Sequence, residues 1–268
     1  VEEGTRLIQG ILQFSRKGSK KEYKILNLSQ VIGTTCDVIK NSAREKEEPQ
    51  PQIQKQEAQL NEKKQKEFEF LFVEALKQKM FGNSQKAIQL LSSCLEIDPN
   101  SSASMYELAK IHAAGNDYTS ASLLLEKAIS INPDNKWYKL SLAEVYQQSQ
   151  QLKKAADIYD ELLQKDPENL EYLFSKAMLL AHAKETEQAI EVYNLLEQKV
   201  GVNEQISVAK QRLYISGGKK NKAFEEIEKL IEMNPEEPKY YGLLADLYHN
   251  QGDSVNALKY YRKIQEID

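Results

Sequence analysis

Apolar positions along most of the chain follow a helical period. Ala121, Leu124, Leu125 and Ala128, for example, fall on one face of a helix. The helical stretches stop at regular intervals. Asp98-Pro99-Asn100, Asn132-Pro133-Asp134, Asp166-Pro167-Glu168 and Asn234-Pro235-Glu236 punctuate the chain, their prolines 34, 34 and 68 residues apart. The missing member of the series falls at Gly201, itself a helix stop. A proline has no N–H to donate and disfavours helix at the residue before it, so each triplet predicts the end of a helix.

With the proline at place 32 of a 34-residue unit, six units begin at 68, 102, 136, 170, 204 and 238. Place 20 is then Ala87, Ala121, Ala155, Ala189, Ala223 and Ala257. Place 8 reads Ala75, Ala109, Ala143, Ala177, Gln211 and Ala245. Small residues at both places let two helices approach closely. Larger ones at place 24 (Leu91, Leu125, Tyr159, Tyr193, Ile227, Tyr261) and place 27 (Cys94, Ala128, Leu162, Leu196, Leu230, Ile264) fill the space between neighbours. Unit five departs from this pattern. It has Lys210-Gln211 where units two, three and six have Leu108-Ala109, Leu142-Ala143 and Leu244-Ala245, and its A helix is expected to pack less well. Its inter-helix turn, Ser216-Gly217-Gly218-Lys219, predicts unusual flexibility.

This pattern resembles the tetratricopeptide repeat, carried by Leu108-Ala109, Ala121 and Pro133 in unit two and by Leu244-Ala245, Tyr248 and Ala257 in unit six. Place 4, often Trp in that family, holds Leu71, Met105, Lys139, Leu173, Ser207 and Tyr241. The resemblance covers 68–268 and implies an all-α, right-handed superhelix of helix–turn–helix units: 68–101, 102–135, 136–169, 170–203, 204–237 and 238–268. Each unit is expected to give helix A over about places 1–14 and helix B over about places 18–30. The resemblance also implies a concave groove lined by A-helix places 2, 5, 9, 12 and 13. On that basis Phe72, Tyr106, Leu140 and Phe174 are candidates for an apolar floor. Lys110 and Arg212 would fix a partner's acidic groups, Glu144 and Asp246 would select basic ones, and Met178 lies in the same row; the other reading is that the place-5 residues pack under the neighbouring unit and the charges are only solvated. Family members that clamp the C-terminal carboxylates of heat-shock chaperones use Lys and Asn at places 5 and 9 of the first unit. Here those places hold Phe72 and Leu76, with Lys110, Leu140 and Glu144 further on, so that role is not expected.

The ends differ from the middle. Residues 41–67 are rich in Gln, Glu and Lys with Pro49-Gln50-Pro51, and their charges cancel. They read as a solvated linker whose last part, from Gln54, forms a capping helix on unit one. Within 1–40, a basic cluster (Arg16, Lys17, Lys20, Lys21, Lys24) precedes Ile25, Leu26, Leu28, Val31 and Ile32, then Gly33-Thr34-Thr35-Cys36. That order is similar to a bacterial lipoprotein leader, which would make Cys36 a lipidation site. Asn27, Ser29 and Gln30 interrupt the apolar run, and the other reading is a short amphipathic helix or strand with a free thiol. The start at Val1 and the stop at Asp268, inside unit six, suggest a fragment of a longer protein or an end covered by a partner.

Composition narrows the function classes. The 268 residues carry 36 basic and 40 acidic side chains, a formal net charge of −4, against the concentrated basic footprint of a nucleic-acid binder. No apolar run approaches the roughly 20 residues of a membrane span. The cysteines, Cys36 and Cys94, cannot build a disulfide framework, and His112, His182 and His249 lie far apart, so no metal site is expected. Gly217-Gly218-Lys219-Lys220 lacks the spacing of a phosphate loop and has no strand before it. No nucleophile has a base and an orienting group beside it. No cofactor and no catalysis are expected. The reading that remains is a scaffold that binds a protein or peptide. The alternatives are an envelope-tethered assembly factor held by Cys36 and the regulatory arm of a larger enzyme. The compartment is either the cytoplasm or a bacterial envelope.

Overall fold

The structure is a computed structural model and describes residues 52–267. The chain divides into two units, Val1–Glu62 and Lys63–Asp268. Of the first, the described part is the opening of helix α1 (Gln52–Met80), so the Gln-, Glu- and Lys-rich stretch is helical from Gln52 onward. Cys36 and the leader-like segment lie outside the described residues.

Among the described residues every regular element is a helix. After α1 come α2 (Ser84–Ile97), α3 (Ser102–Ala114), α4 (Tyr118–Ile131), α5 (Lys136–Gln148), α6 (Leu152–Leu163) and α7 (Leu170–His182). They are followed by α8 (Thr186–Val200), α9 (Glu204–Ser216), α10 (Lys220–Met233), α11 (Pro238–Asn250) and α12 (Ser254–Ile267). Odd-numbered helices are the A helices and even-numbered ones the B helices. From unit two onward each A helix covers places 1–13, and each B helix begins at place 17, within one residue of expectation.

Both helix ends of each unit are set by short-range chemistry. At place 34, Ser101, Asn135, Asn169, Asn203 and Glu237 each accept a hydrogen bond from a backbone N–H in the first turn of the next A helix. The A helix ends with a residue in the left-handed region at place 15: Gly82, Asn116, Gln150, Lys184, Gly218 and Gly252. The N–H of place 16 then bonds the carbonyl of place 11 in all six units, as Asp117 N to His112 O at 2.9 Å and Lys219 N to Tyr214 O at 2.8 Å. The expectation of an unusually flexible Gly217-Gly218 turn is corrected by this geometry. It is the same closed turn as in the other units, and Gly218 fills a place that requires positive φ.

The core follows the columns. The place-20 alanines are fully buried, apart from Ala257 at 3% exposure, and Leu91, Leu125, Tyr193 and Ile227 close over them at place 24. With only a Cβ at the crossing, the two helices of a unit come together and the larger side chains interlock between units. Ala75, Ala87 and Leu91 of unit one pack with Leu108 and Ile111 of unit two in this way. The helices thus stack into a solenoid in which each unit leans on the next.

Unit five keeps the fold with different chemistry. Lys210, at a place held by Leu108, Leu142 and Leu244 elsewhere, is 1% exposed. Its Nζ lies 2.8 Å from Glu197 Oε2 and 2.7 Å from Glu226 Oε1. Lys229 Nζ completes the set, 3.0 Å from Glu226 Oε1 and 3.3 Å from both Glu197 oxygens.

Candidate protein-binding groove

The A helices of successive units carry the candidate residues, and α3 touches α5 directly, as neighbours in the inner row of a curved stack do. The place-5 residues are largely turned into the packing. Tyr106 is 3% exposed, its ring centroid 5.0 Å from that of Tyr138, and its hydroxyl accepts a hydrogen bond from Ser141 Oγ at 3.5 Å. Tyr106 is therefore not an open floor residue; of the two readings of place 5 it follows the one in which the side chain packs under the neighbouring unit. Phe72 is half-buried against Phe68 (centroids 6.0 Å apart), and Phe174 is half-buried edge-on to Tyr193 of its own B helix (6.2 Å). Leu140 is also half-buried. The physical reason is that place 5 lies one helical turn before the small residue at place 8, on a side that neighbouring helices cover, α5 for Tyr106 and α8 for Phe174.

Place 9 is different. Glu144 and Arg212 are exposed, and Met178 is 42% exposed. Ile215, at place 12 of the next unit, is 41% exposed. Lys110 is half-buried, with its Nζ 5.3 Å from the centre of the Tyr106 ring. Burial, aided by the neighbouring Lys79, lowers the Lys110 ammonium below its usual value against the pull of Glu107 and Glu144. Lys79 is itself ion-paired with Glu107. Between α5 and α7 lies a polar depression lined by Glu144, Gln147, Gln148, Gln150, Leu152 and His182. The structure thus separates the candidate residues into packed ones (Phe72, Tyr106, Leu140, Phe174) and presented ones (Glu144, Met178, Arg212), with Lys110 between. A 34-residue column puts residues in register, but burial at a given place depends on which neighbouring helix covers it, so the column alone could not make that division.

Trp137 is half-buried at place 2 with the Lys136 ammonium over its ring, and its buried Nε1 has no acceptor. His112 Nδ1 lies 2.9 Å from Asp117 Oδ2 at the α3–α4 turn, whereas His182 and His249 are exposed. Cys94 is buried in the core, and burial pushes its thiol up to about 11. Among the described residues, no group of three His, Cys, Asp or Glu side chains is placed to hold a metal ion, and no helix is long and apolar enough to cross a membrane.

A stack of helical hairpins with small-residue crossings every 34 residues defines a helical-repeat solenoid. The chain belongs to the tetratricopeptide-repeat family. The family model "Cytochrome c-type biogenesis protein H TPR domain" matches residues 85–207, and the model "Tetratricopeptide repeat" matches residues 212–268. Among solved structures, a tetratricopeptide repeat protein from Parabacteroides merdae ATCC 43184 is 19% identical with a TM-score of 0.53, over 76% of this chain and 80% of that one. The MamA protein is 20% identical with a TM-score of 0.49, over 62% of this chain and 91% of that one. YrrB, described as a TPR protein with an unusual peptide-binding site, is 14% identical with a TM-score of 0.46, over 66% and 92%. A comparison with curated proteins finds no match.

Proposed function

We propose that this chain is a non-catalytic scaffold that holds a protein or peptide partner along its A helices. The observation that carries the reading is the presented row of Glu144, Met178, Arg212 and Ile215, mounted on helices α5, α7 and α9. An exposed thioether and an exposed Ile beside charges of both signs on rigid supports suit a partner segment with apolar side chains flanked by charge. The half-buried aromatics underneath hold the row in place and are not the contact surface.

The test separates these roles. The wild-type protein and a Met178→Ala/Arg212→Ala/Ile215→Ala variant are used as bait in lysate of the source cells, with Leu123→Ala, an exposed residue on a B helix, as control. The expected result is a partner retained by wild type and the control and lost by the triple variant. With that partner purified, Arg212→Ala is expected to weaken binding by about 1–2 kcal/mol in calorimetry. A partner held equally by all three baits would move the site off the A helices. Phe174→Ala is a poor probe here, because its ring packs on Tyr193 and the change disturbs the fold as well as the groove.

The match of residues 85–207 to a biogenesis-protein TPR domain favours a second form of the reading, a scaffold for assembling other proteins. In that form the scaffold is tethered through Cys36. Fractionation of the source cells and an intact mass of the protein would test the tether. An unmodified thiol in the soluble fraction would remove it.

A further inference from the structure

The ionic set of unit five sits mainly where the other units are oily, although the place of Lys210 is also charged in units one and four, as Glu74 and Lys176. Lys210 stands at place 7, Glu226 at place 23 and Glu197 at place 28 of the preceding unit. Place 23 is otherwise Leu90, Leu124, Ile158, Val192 and Tyr260, and place 28 is chiefly Leu95, Ile129, Leu163 and Ile231. Two substitutions of apolar by charged residues, Glu197 and Glu226, thus converge with the buried Lys210 at one boundary, on α8, α9 and α10. Glu226 is 3% exposed, and its Oε2 has no hydrogen-bond partner; the fully buried Ser207 hydroxyl on α9 also has none. A charge set that is only partly satisfied in an interior holds its elements together less well than packed side chains would. The backbone agrees with the side chains. Gly201, at φ +78°, replaces the proline that stiffens the unit boundaries at 99, 133, 167 and 235. Contact between α8 and α9 is also sparser than across the three boundaries that precede it, and close to that between α10 and α11.

We propose that this four-residue ionic core makes the boundary between units four and five a pH-gated joint, at which α9–α12 part from α1–α8 as a block in acid. The charged groups facing one another there are Glu197 from α8, Lys210 from α9, and Glu226 and Lys229 from α10. Burial pushes the Glu197 carboxyl up, but the hydrogen bond and charge of Lys210 and the charge of Lys229 outweigh it and hold it below its ordinary 4.5. The stability it contributes is present above pH 4.5 and is lost as pH falls through its lower folded value. Lys229 is lowered by burial and raised more by Glu226 and Glu197, so it titrates above its ordinary 10.5. Its contribution is present below pH 10.5 and is lost only as pH rises through that higher value. The joint is therefore closed across the neutral range and opens first on the acid side. Opening would separate Met178 from Arg212 and Ile215, and with them the two halves of the groove.

Hydrogen exchange of the whole chain at pH 7 and pH 4, corrected for the intrinsic rate at each pH, tests this. The expected result at pH 4 is that protection in α9–α12 falls together by about two- to fourfold, the most that a carboxyl of ordinary value 4.5 can contribute there, while α3–α6 hold. A Glu197→Leu/Lys210→Leu/Glu226→Leu variant, which makes all three places apolar as they are in units two and three, should show no such pH dependence. Glu226→Gln, which keeps the shape and removes one charge, serves if the triple variant does not fold, and it should shift the onset of opening. Equal protection of α9–α12 and α3–α6 at both pH values would overturn the joint. So would an unchanged pH dependence in whichever variant is folded. Neither outcome bears on the groove reading, which is tested at neutral pH.

Discussion

The six turns between A and B helices are alike in backbone and unlike in sequence. Place 15 needs positive φ, and three units meet that need with glycine while Asn116, Gln150 and Lys184 do so at φ of about 60°. A non-glycine residue with a β-carbon is strained there, so Gln150→Gly and Lys184→Gly are each expected to raise stability by about 0.5–1 kcal/mol in urea unfolding. The converse change, Gly218→Ala, is expected to cost about 1 kcal/mol. An added Cβ would meet nothing within 4 Å, so the cost comes from φ alone. The alanine column makes the opposite kind of prediction. Ala155 and Ala189 have no exposed surface at their crossings, and Ala189→Leu is expected to lose about 1–3 kcal/mol by overpacking. The alanines could be read from the sequence because their spacing is strict. The place-15 conformation could not, because Lys, Gln and Asn carry no shared signal for it. Tyr106 shows the limit at the candidate site: the sequence put it in the right helix and row, but burial by Tyr138 and Ser141 came from a neighbouring unit.

From unit two onward the A helices and the starts of the B helices were legible to within a residue because they depend on local chemistry, whereas α6 ends two residues early, at Leu163. A proline three residues before α3, α5, α7 and α11, with Gly201 in that place before α9, and a polar residue at place 34 fix the start. Asn169, whose side chain accepts the N–H of Tyr172 at 3.1 Å, is the simplest case, and Asn169→Ala is expected to cost about 1 kcal/mol with no change in the helix content of other units. Helix α9 was legible in extent and not in its interior. Lys210-Gln211 departs from the repeat, which predicts looser packing, yet Lys210 is buried as deeply as the leucines it replaces. Its partners, Glu197 and Glu226, are 13 and 16 residues away along the chain and on different helices, so no local pattern links them.

At the scale of the whole described molecule, salt bridges between units recur along the surface. Lys153 reaches Glu185 at 3.1 Å, Lys199 reaches Glu168 at 2.6 Å and Lys219 reaches Glu187 at 3.1 Å. Each includes a solvent-exposed member, so each is expected to contribute less than about 1 kcal/mol. Raising the salt concentration to 1 M should therefore leave the thermal midpoint nearly unchanged, as scanning calorimetry can check. The hairpin architecture was visible in the sequence because a repeat multiplies each weak signal six times. The presented face of the groove was visible only in outline, because a solenoid shows its function in which side chains remain uncovered once the units have closed.

The helices of this solenoid lean mainly on their neighbours in the chain, with α3 on α5 as a short extension. Few contacts have to wait for distant residues to find each other, so the entropy of closing long loops is hardly spent before contacts reward it. The consequence is kinetic. Folding can begin in any pair of adjacent hairpins and spread outward, and a chain emerging from the ribosome can complete α1 to α4 before α12 has been made.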